Sequence, residues 1–245
     1  RENGIGLIKE VLQKNIQTYE ISPDHTAIAL TGGYDSRALI ASLGDEFREF
    51  QYYSYGRSDS WDLKIPKMIS QKLKLNYTEL PFGYEFDQQF INNGKRAVLL
   101  SDGIGRLSFA NLVYVYSDFF FFFTQILSGL FGSELIKRFT GANLAISANM
   151  LDLLRSDSID EALELQFNNS IVNNFFSTEY VNQNKDEVLN QLKNDNLLSN
   201  NFPEKQKIFL HFLMHGTRRY FQKELKIQSP WVSNLHPFYD IDFIE

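Results

Sequence analysis

The feature that most constrains this chain is the run Ala27-Ile28-Ala29-Leu30-Thr31-Gly32-Gly33-Tyr34-Asp35-Ser36-Arg37. Apolar Ala27 to Leu30 reads as a buried strand, the strand stops at two glycines, and a helical pattern resumes at Ala38 to Leu43. A strand, a Gly-Gly turn and a helix leave a row of unpaired backbone N–H groups at the helix N-terminus, where the helix dipole is positive. Such a turn is an anion site. Gly32 and Gly33 let the backbone approach a phosphate with no Cβ in the way. The N–H groups of Gly33 to Ser36 are candidate donors, and Thr31 and Ser36 add hydroxyls. Asp35 would repel a phosphate unless it holds a cation, so it predicts Mg²⁺. The same string also reads as a tight strand-to-helix turn with an N-capping Asp-Ser pair. The combination Thr-Gly-Gly-x-Asp-Ser favours nucleotide phosphate.

The rest of the chain sets limits. Its 245 residues suffice for one large domain or two small ones. A formal net charge of −6 argues against a nucleic-acid-coating surface, so a bound anion needs local positive charge and Mg²⁺. With no cysteine, the chain has no disulfide, no thiolate zinc site and no cysteine nucleophile, which fits a reducing, cytoplasmic setting. Arg1-Glu2-Asn3 leads into an amphipathic segment rather than a signal peptide, and the chain reads as a piece of a longer one. The apolar run Phe119–Phe131, bracketed by Asp118 and Glu134, is too short to span a bilayer. Its five consecutive Phe followed by Thr124-Gln125-Ile126-Leu127 read instead as a central strand covered on both faces.

Periodicity predicts a helix over Glu2–Tyr19, strands over Ala27–Leu30, Phe50–Tyr55 and Asn76–Leu80, and helices over Asp62–Leu75, Tyr84–Val98 and Leu107–Tyr116. Ser60 or Asp59 is expected to cap the Asp62–Leu75 helix, and Pro81-Phe82-Gly83 to form a turn. The order β-α-β-α-β, then helices, then β predicts an α/β fold: a parallel twisted sheet with helices on both faces. Ligands in such sheets sit beyond the carboxyl ends of the strands, where the Thr31, Tyr55 and Ser128 turns fall. From about Ala142 no strand is predicted. Asp160–Phe176, Thr178–Leu192 and Pro203–Glu224 have helical spacing, with Asp157 or Ser158, Ser177 and Asn201 as caps. The expected organisation is therefore an α/β nucleotide-binding part over 1–141 and a helical part over 142–245 packed on it.

Thr31-Gly32-Gly33-Tyr34-Asp35-Ser36 resembles the Ser-Gly-Gly-x-Asp-Ser pyrophosphate loop of the N-type ATP pyrophosphatases, most closely the synthetase domain of asparagine synthetases. Tyr53-Ser54-Tyr55-Gly56 followed by Asp62 is similar to the second strand and next helix of that domain. Ile126-Leu127-Ser128-Gly129-Leu130-Phe131-Gly132-Ser133-Glu134-Leu135 resembles its Ser-Gly-x-Gly-Gly-Asp-Glu-Leu turn. Arg218-Arg219 with Ser233-Asn234-Leu235-His236-Pro237-Phe238-Tyr239-Asp240 resembles its Arg…Glu-x-Arg-x-Pro-Phe-Leu-Asp segment. The resemblance implies an adenine nucleotide alpha hydrolase-like fold with ATP and Mg²⁺ as cofactors. ATP would be held by Leu30, Thr31, Gly32, Gly33, Tyr34, Asp35, Ser36, Arg37, Tyr55, Ser128 and Gly129, with Asp35 on the metal. Asp35, Ser36 and Glu134 would be the catalytic residues, and Arg37 a possible phosphate clamp. Ser133 replaces an aspartate that helps bind Mg²⁺ in the family, and Leu130 replaces an acidic residue near the activated carboxyl.

The implied chemistry is ATP-dependent amide formation. A carboxylate such as aspartate is adenylated with release of pyrophosphate, and ammonia or another amine then displaces AMP. A glutaminase domain on the N-terminal side would supply ammonia, and a homodimer is compatible with the resemblance. A different acid or amine substrate (peptide, antibiotic or polysaccharide modification) is a second reading, and a non-catalytic ATP-binding relative a third. By position the loop Ser101-Asp102-Gly103-Ile104-Gly105-Arg106 faces the acceptor substrate, with Asp102 and Arg106 as candidates to read it. His211 and His215 share a helix face but lack a third ligand, so packed or surface histidines are preferred to zinc. No Ser-His-Asp elbow and no dinucleotide fingerprint is present.

Overall fold

The computed structural model describes residues 2–118, 122–132, 153–170, 174–194, 202–212 and 218–240. In chain order, helix α1 is Glu2–Thr18, strand β1 Thr26–Ala29, α2 Tyr34–Ser42, β2 Gln51–Arg57, α3 Trp61–Leu73, β3 Asn76–Phe82, α4 Tyr84–Leu100, α5 Ala110–Asp118 and β4 Gln125–Leu127. Then follow α6 Ile159–Asn168, α7 Thr178–Lys193, α8 Glu204–His211, α9 Arg218–Gln228 and β5 Ser233–Leu235. Short 3-10 turns lie at Gly44–Arg48 and Leu107–Phe109.

The strands form one five-stranded sheet in the order β3-β2-β1-β4-β5, and every pairing is parallel. The fold is therefore α/β with a parallel sheet. The chain grows outward from β1 to β3, then returns to the other side of β1 to lay down β4 and β5. The order thus reverses between β1 and β4, and a crevice opens at the carboxyl ends of that pair. Side chains alternate as the pleat requires. Ala27, Tyr53 and Ile126 face a core shared with Ala97 of α4, Leu112, Val113 and Tyr116 of α5, and Ile227 and Val232. Ile28, Tyr52 and Leu127, also buried, occupy the alternate positions. There the Tyr52 hydroxyl donates to the Phe47 carbonyl at 2.6 Å, tying β2 to the turn after α2.

The structure extends or corrects several sequence expectations. β2 runs on through Gly56-Arg57, and β3 through Pro81-Phe82, which pair with them in register. A proline is tolerated because β3 is an edge strand with one side of its backbone unpaired. The Phe-rich run supplies an interior strand, as expected, which among the described residues comprises Gln125–Leu127. Phe119 to Phe121 lie outside the described residues, and Phe122 is 76 % exposed rather than central. Ser60 occupies the N-cap of α3 without a side-chain capping bond, and its hydroxyl is buried without a partner. The expectation that no strand follows Ala142 is overturned by β5. It is three residues long with no apolar alternation, and what makes it a strand is its pairing with β4.

The chain divides into two compact units, Arg1–Ile136 with Lys223–Glu245, and Lys137–Gln222. The first holds the sheet. Its last segment returns to it from the half expected to be wholly helical. Asn15 of α1 donates to the Pro237 carbonyl at 3.1 Å, and Phe238 is fully buried. The second unit contains α6, α7 and α8 around Leu163, Leu189 and Ile208. Ser158 and Ser177 cap α6 and α7 as expected, each accepting from an N–H three residues on at 3.2 Å. Asn201 lies outside the described residues. Among the described residues no helix is long and apolar enough to cross a membrane.

Candidate active site at the carboxyl ends of β1, β2 and β4

A cavity of about 440 Å³ opens where the strand order reverses. The end of β1 and the first turn of α2 contribute Leu30, Thr31, Asp35 and Ser36. β2 contributes Tyr53, Ser54 and Tyr55, and the turn after β4 contributes Ser128, Gly129 and Leu130. Asp62, Tyr116, Glu224, Gln228, Asn234 and His236 complete the wall. Thus Leu30, Thr31, Asp35, Ser36, Tyr55, Ser128 and Gly129, expected from sequence, come together here. Gly32, Gly33, Tyr34 and Arg37 lie beside the cavity without lining it, and Glu134 is outside the described residues.

The first glycine turn is stapled from within. Leu30 still pairs with Tyr53 through its N–H (2.9 Å), so the chain leaves the sheet only at Thr31. The Thr31 N–H donates to the Ser36 hydroxyl at 3.2 Å, and that hydroxyl donates to the Thr31 carbonyl at 3.0 Å. Ser36 is buried, and its hydroxyl, engaged in these bonds, fixes the turn at the cavity wall. The Thr31 hydroxyl accepts the Gly33 N–H at 3.2 Å, which withdraws one expected donor. Arg37 does not reach out as a clamp: its guanidinium donates to the Gly33 and Gly32 carbonyls (3.1 and 3.4 Å) and lies 4.2 Å from the Tyr34 ring centroid.

The two glycines have different surroundings. A Cβ on Gly32 would sit 3.0 Å from the Ile65 side chain of α3, a tight contact that Ile65 would have to give way to. Gly33 is exposed, occupies the N-cap of α2 in an extended conformation, and no side chain caps the helix. The Asp-Ser capping alternative is therefore not realised, and the N-terminal turn keeps its dipole open to solvent.

The second glycine turn closes on the first. A Cβ on Gly129 would lie 2.9 Å from the Asp35 carbonyl carbon and the Ser36 nitrogen, and one on Gly132 would lie 2.9 Å from the Asp35 carboxyl carbon. The half-buried Asp35 is thus held between both turns at the cavity wall. Between these glycines Phe131 adopts a left-handed φ of 72°, a position the resembled motif gives to glycine. It is retained by burial against the Tyr239 ring at 4.4 Å.

Further wall residues escaped the sequence reading. Ser128 and His236 share a hydrogen bond of 3.0 Å through Nδ1, while Nε2 is buried without a partner. Burial pushes the His236 pKa down to about 4, so the ring is neutral near pH 7. Tyr53 and Tyr116 are buried with their hydroxyls 3.0 Å apart. Tyr55 stacks on Tyr53, and burial, then the Glu224 and Asp62 carboxylates, raise its pKa. Burial likewise raises that of Glu224. The i, i+4 spacing of Glu224 and Gln228 placed them on one helix face; no signal in sequence said which face met the sheet.

Asp102 and Arg106 do not line the cavity; Asp102, at φ 57°, pairs with Lys226. In the other unit His211 Nε2 bonds the Gln166 carboxamide oxygen at 2.7 Å, and His215 lies outside the described residues. Among the described residues no group of three or more His, Cys, Asp or Glu is placed to hold a metal alone. The Asp35 carboxylate, beside the first turn of α2, fits magnesium that arrives with phosphates, which needs only one or two protein ligands. It does not fit a standing all-protein site.

Compared with protein-family models and with curated proteins, the chain matches none.

Proposed function

We propose that this chain binds Mg·ATP in the cavity and is the ATP-dependent, amide-forming part of a ligase of the asparagine synthetase type. The observation that carries the reading is the pair of glycine turns at the ends of adjacent β1 and β4, packed together over an uncapped helix N-terminus, with Asp35 between them. Backbone N–H groups of the first turn of α2 would face the phosphates, and preorganised donors of this kind stabilise a departing pyrophosphate. Asp35 would hold magnesium, which supplies charge neutralisation when bound. The acid's carboxylate oxygen attacks the α-phosphorus, the bond to pyrophosphate breaks, and an amine then displaces AMP from the acyl-adenylate. A cytoplasmic setting and an N-terminal glutaminase domain belong to the same proposal.

Leu130 favours an acid other than aspartate, because it puts an apolar side chain in the cavity wall where the resembled family carries a carboxylate. The test is ATP–pyrophosphate exchange with the longest natural chain, with aspartate and then with other acids. Exchange requiring aspartate supports asparagine formation, and exchange with another acid supports the second substrate reading. Nucleotide binding without exchange identifies a non-catalytic relative. Asp35→Ala is expected to lower exchange by at least about 100-fold, as loss of a charge-neutralising group does. Undiminished exchange would remove Asp35 from the metal.

A further inference from the structure

Among the described residues, the charged groups lining the cavity are Asp35, Asp62 and Glu224, with no lysine or arginine beside them. Asp35 has a role in the ligase reading, on magnesium. Glu224 has none. Its carboxylate is half-buried, its pKa is raised by that burial, and it makes no ion pair or hydrogen bond among the described residues. A carboxylate withdrawn from water without a partner is unfavourable, and what relieves it is a cation or a strong donor. A second polar group at the same place also lacks a protein partner among the described residues. The Gln228 side chain, 8 % exposed and one helical turn on, lines the cavity and makes no hydrogen bond among the described residues. The Tyr55 hydroxyl lies close enough to Glu224 and Asp62 for both to oppose its ionisation.

We propose that the end of the cavity bounded by Tyr55, Asp62, Glu224 and Gln228 is a subsite for an alkylammonium group. An ammonium carries three N–H donors and no acceptor. The Glu224 carboxylate, the Gln228 carboxamide oxygen and the Tyr55 hydroxyl offer it three acceptors. Asp62, at the mouth, adds long-range attraction. A carboxylate would be repelled from this end and directed toward the helix N-terminus of α2, which orients any ligand carrying both groups. The ammonium has two sources, the α-ammonium of an amino acid being activated or the amine that accepts the acyl group. Only its role in amide formation rests on the ligase reading; its binding does not.

The experiment is calorimetry on the full chain with 1,4-diaminobutane, L-aspartate and Mg·ATP, each alone, for wild type, Glu224→Gln, Gln228→Leu and Asp35→Ala. Folding of each variant is checked by thermal melting. The expected result is that at least one of the two ammonium probes binds and loses about tenfold or more in Glu224→Gln and in Gln228→Leu, the size of a lost charge-assisted bond. Loss for diaminobutane places the acceptor amine there; loss for aspartate alone places the acid's own ammonium there. Asp35→Ala should weaken Mg·ATP and leave the ammonium probe bound. If wild type binds an ammonium probe but no Mg·ATP, the ligase reading fails while the subsite stands. The subsite is overturned if neither probe binds wild type, or if Glu224→Gln weakens Mg·ATP and leaves the probes unchanged, which would give this end to the nucleotide base.

Discussion

At the scale of single residues, the site is defined by groups whose protonation the fold has displaced. Glu224 is an acid with a raised pKa. Below the ordinary carboxylate range folded and unfolded chains both hold its proton. As pH rises the unfolded chain ionises first, so stability falls through the window between the ordinary and the raised pKa. Glu224→Gln is therefore expected to raise the urea midpoint at pH 7, with the gain vanishing near pH 4. A gain independent of pH would mean that the carboxylate is not desolvated. His236 behaves in the opposite sense. Its folded pKa of about 4 lies below the ordinary histidine value of 6.5, so the unfolded chain takes up a proton first as pH falls. Stability is lost between those two values, by at most about 1.4 kcal/mol per pH unit. His236→Asn should flatten that part of the stability–pH curve; an unchanged slope would place the proton uptake elsewhere.

At the scale of elements, what matters is the contact between two turns that are distant in sequence. Gly129 belongs to the turn after β4, and its Cα faces the backbone of Asp35 and Ser36. Gly129→Ala places a methyl group 2.9 Å from main-chain atoms, which cannot rotate away as a flexible side chain would. The expected effect is a loss of about 1–3 kcal/mol in stability, the usual result of overpacking, together with weaker nucleotide binding. Chemical denaturation and calorimetry on the same variant check both. An alanine there that leaves both intact would show that the turns do not clasp. The first glycine turn was legible because its strand, its paired glycines and its helix are contiguous. The bonds of the Ser36 hydroxyl were not legible, because its partners, Thr31 and Gly33, become neighbours only once the turn is closed.

At the scale of the whole molecule, the sheet unit is discontinuous in sequence. Ile227, Val232 and Phe238 are buried in it, and β5 supplies its edge beside β4. Removing residues 223–245 should therefore abolish the cooperative unfolding of the sheet, because several buried side chains leave at once and each large one is worth about 2–5 kcal/mol. Circular dichroism and urea denaturation of the shortened chain test this. A sheet that still melts cooperatively would show that the segment is an appendage. The same truncation removes Glu224, Gln228 and His236, so the cavity would lose one wall.

The sequence by itself determined the local matter: α1 through α5, the parallel character of the sheet, and the glycine turns at Thr31–Ser36 and Ser128–Gly129. These follow from periodicity, paired glycines and the need of a parallel strand for a crossover, all of which act within short stretches. Only the tertiary structure decided that Ser233–Leu235 is a strand, that Gly32 lies against Ile65, and that Glu224, Gln228 and His236 face the cavity. A three-residue strand has no periodicity of its own, and a polar residue late in the chain carries no mark of the crevice it will line. The strand pairing and the cavity wall depend on contacts between segments about 100 residues or more apart, such as Ser128 with His236, and a linear pattern holds no record of them.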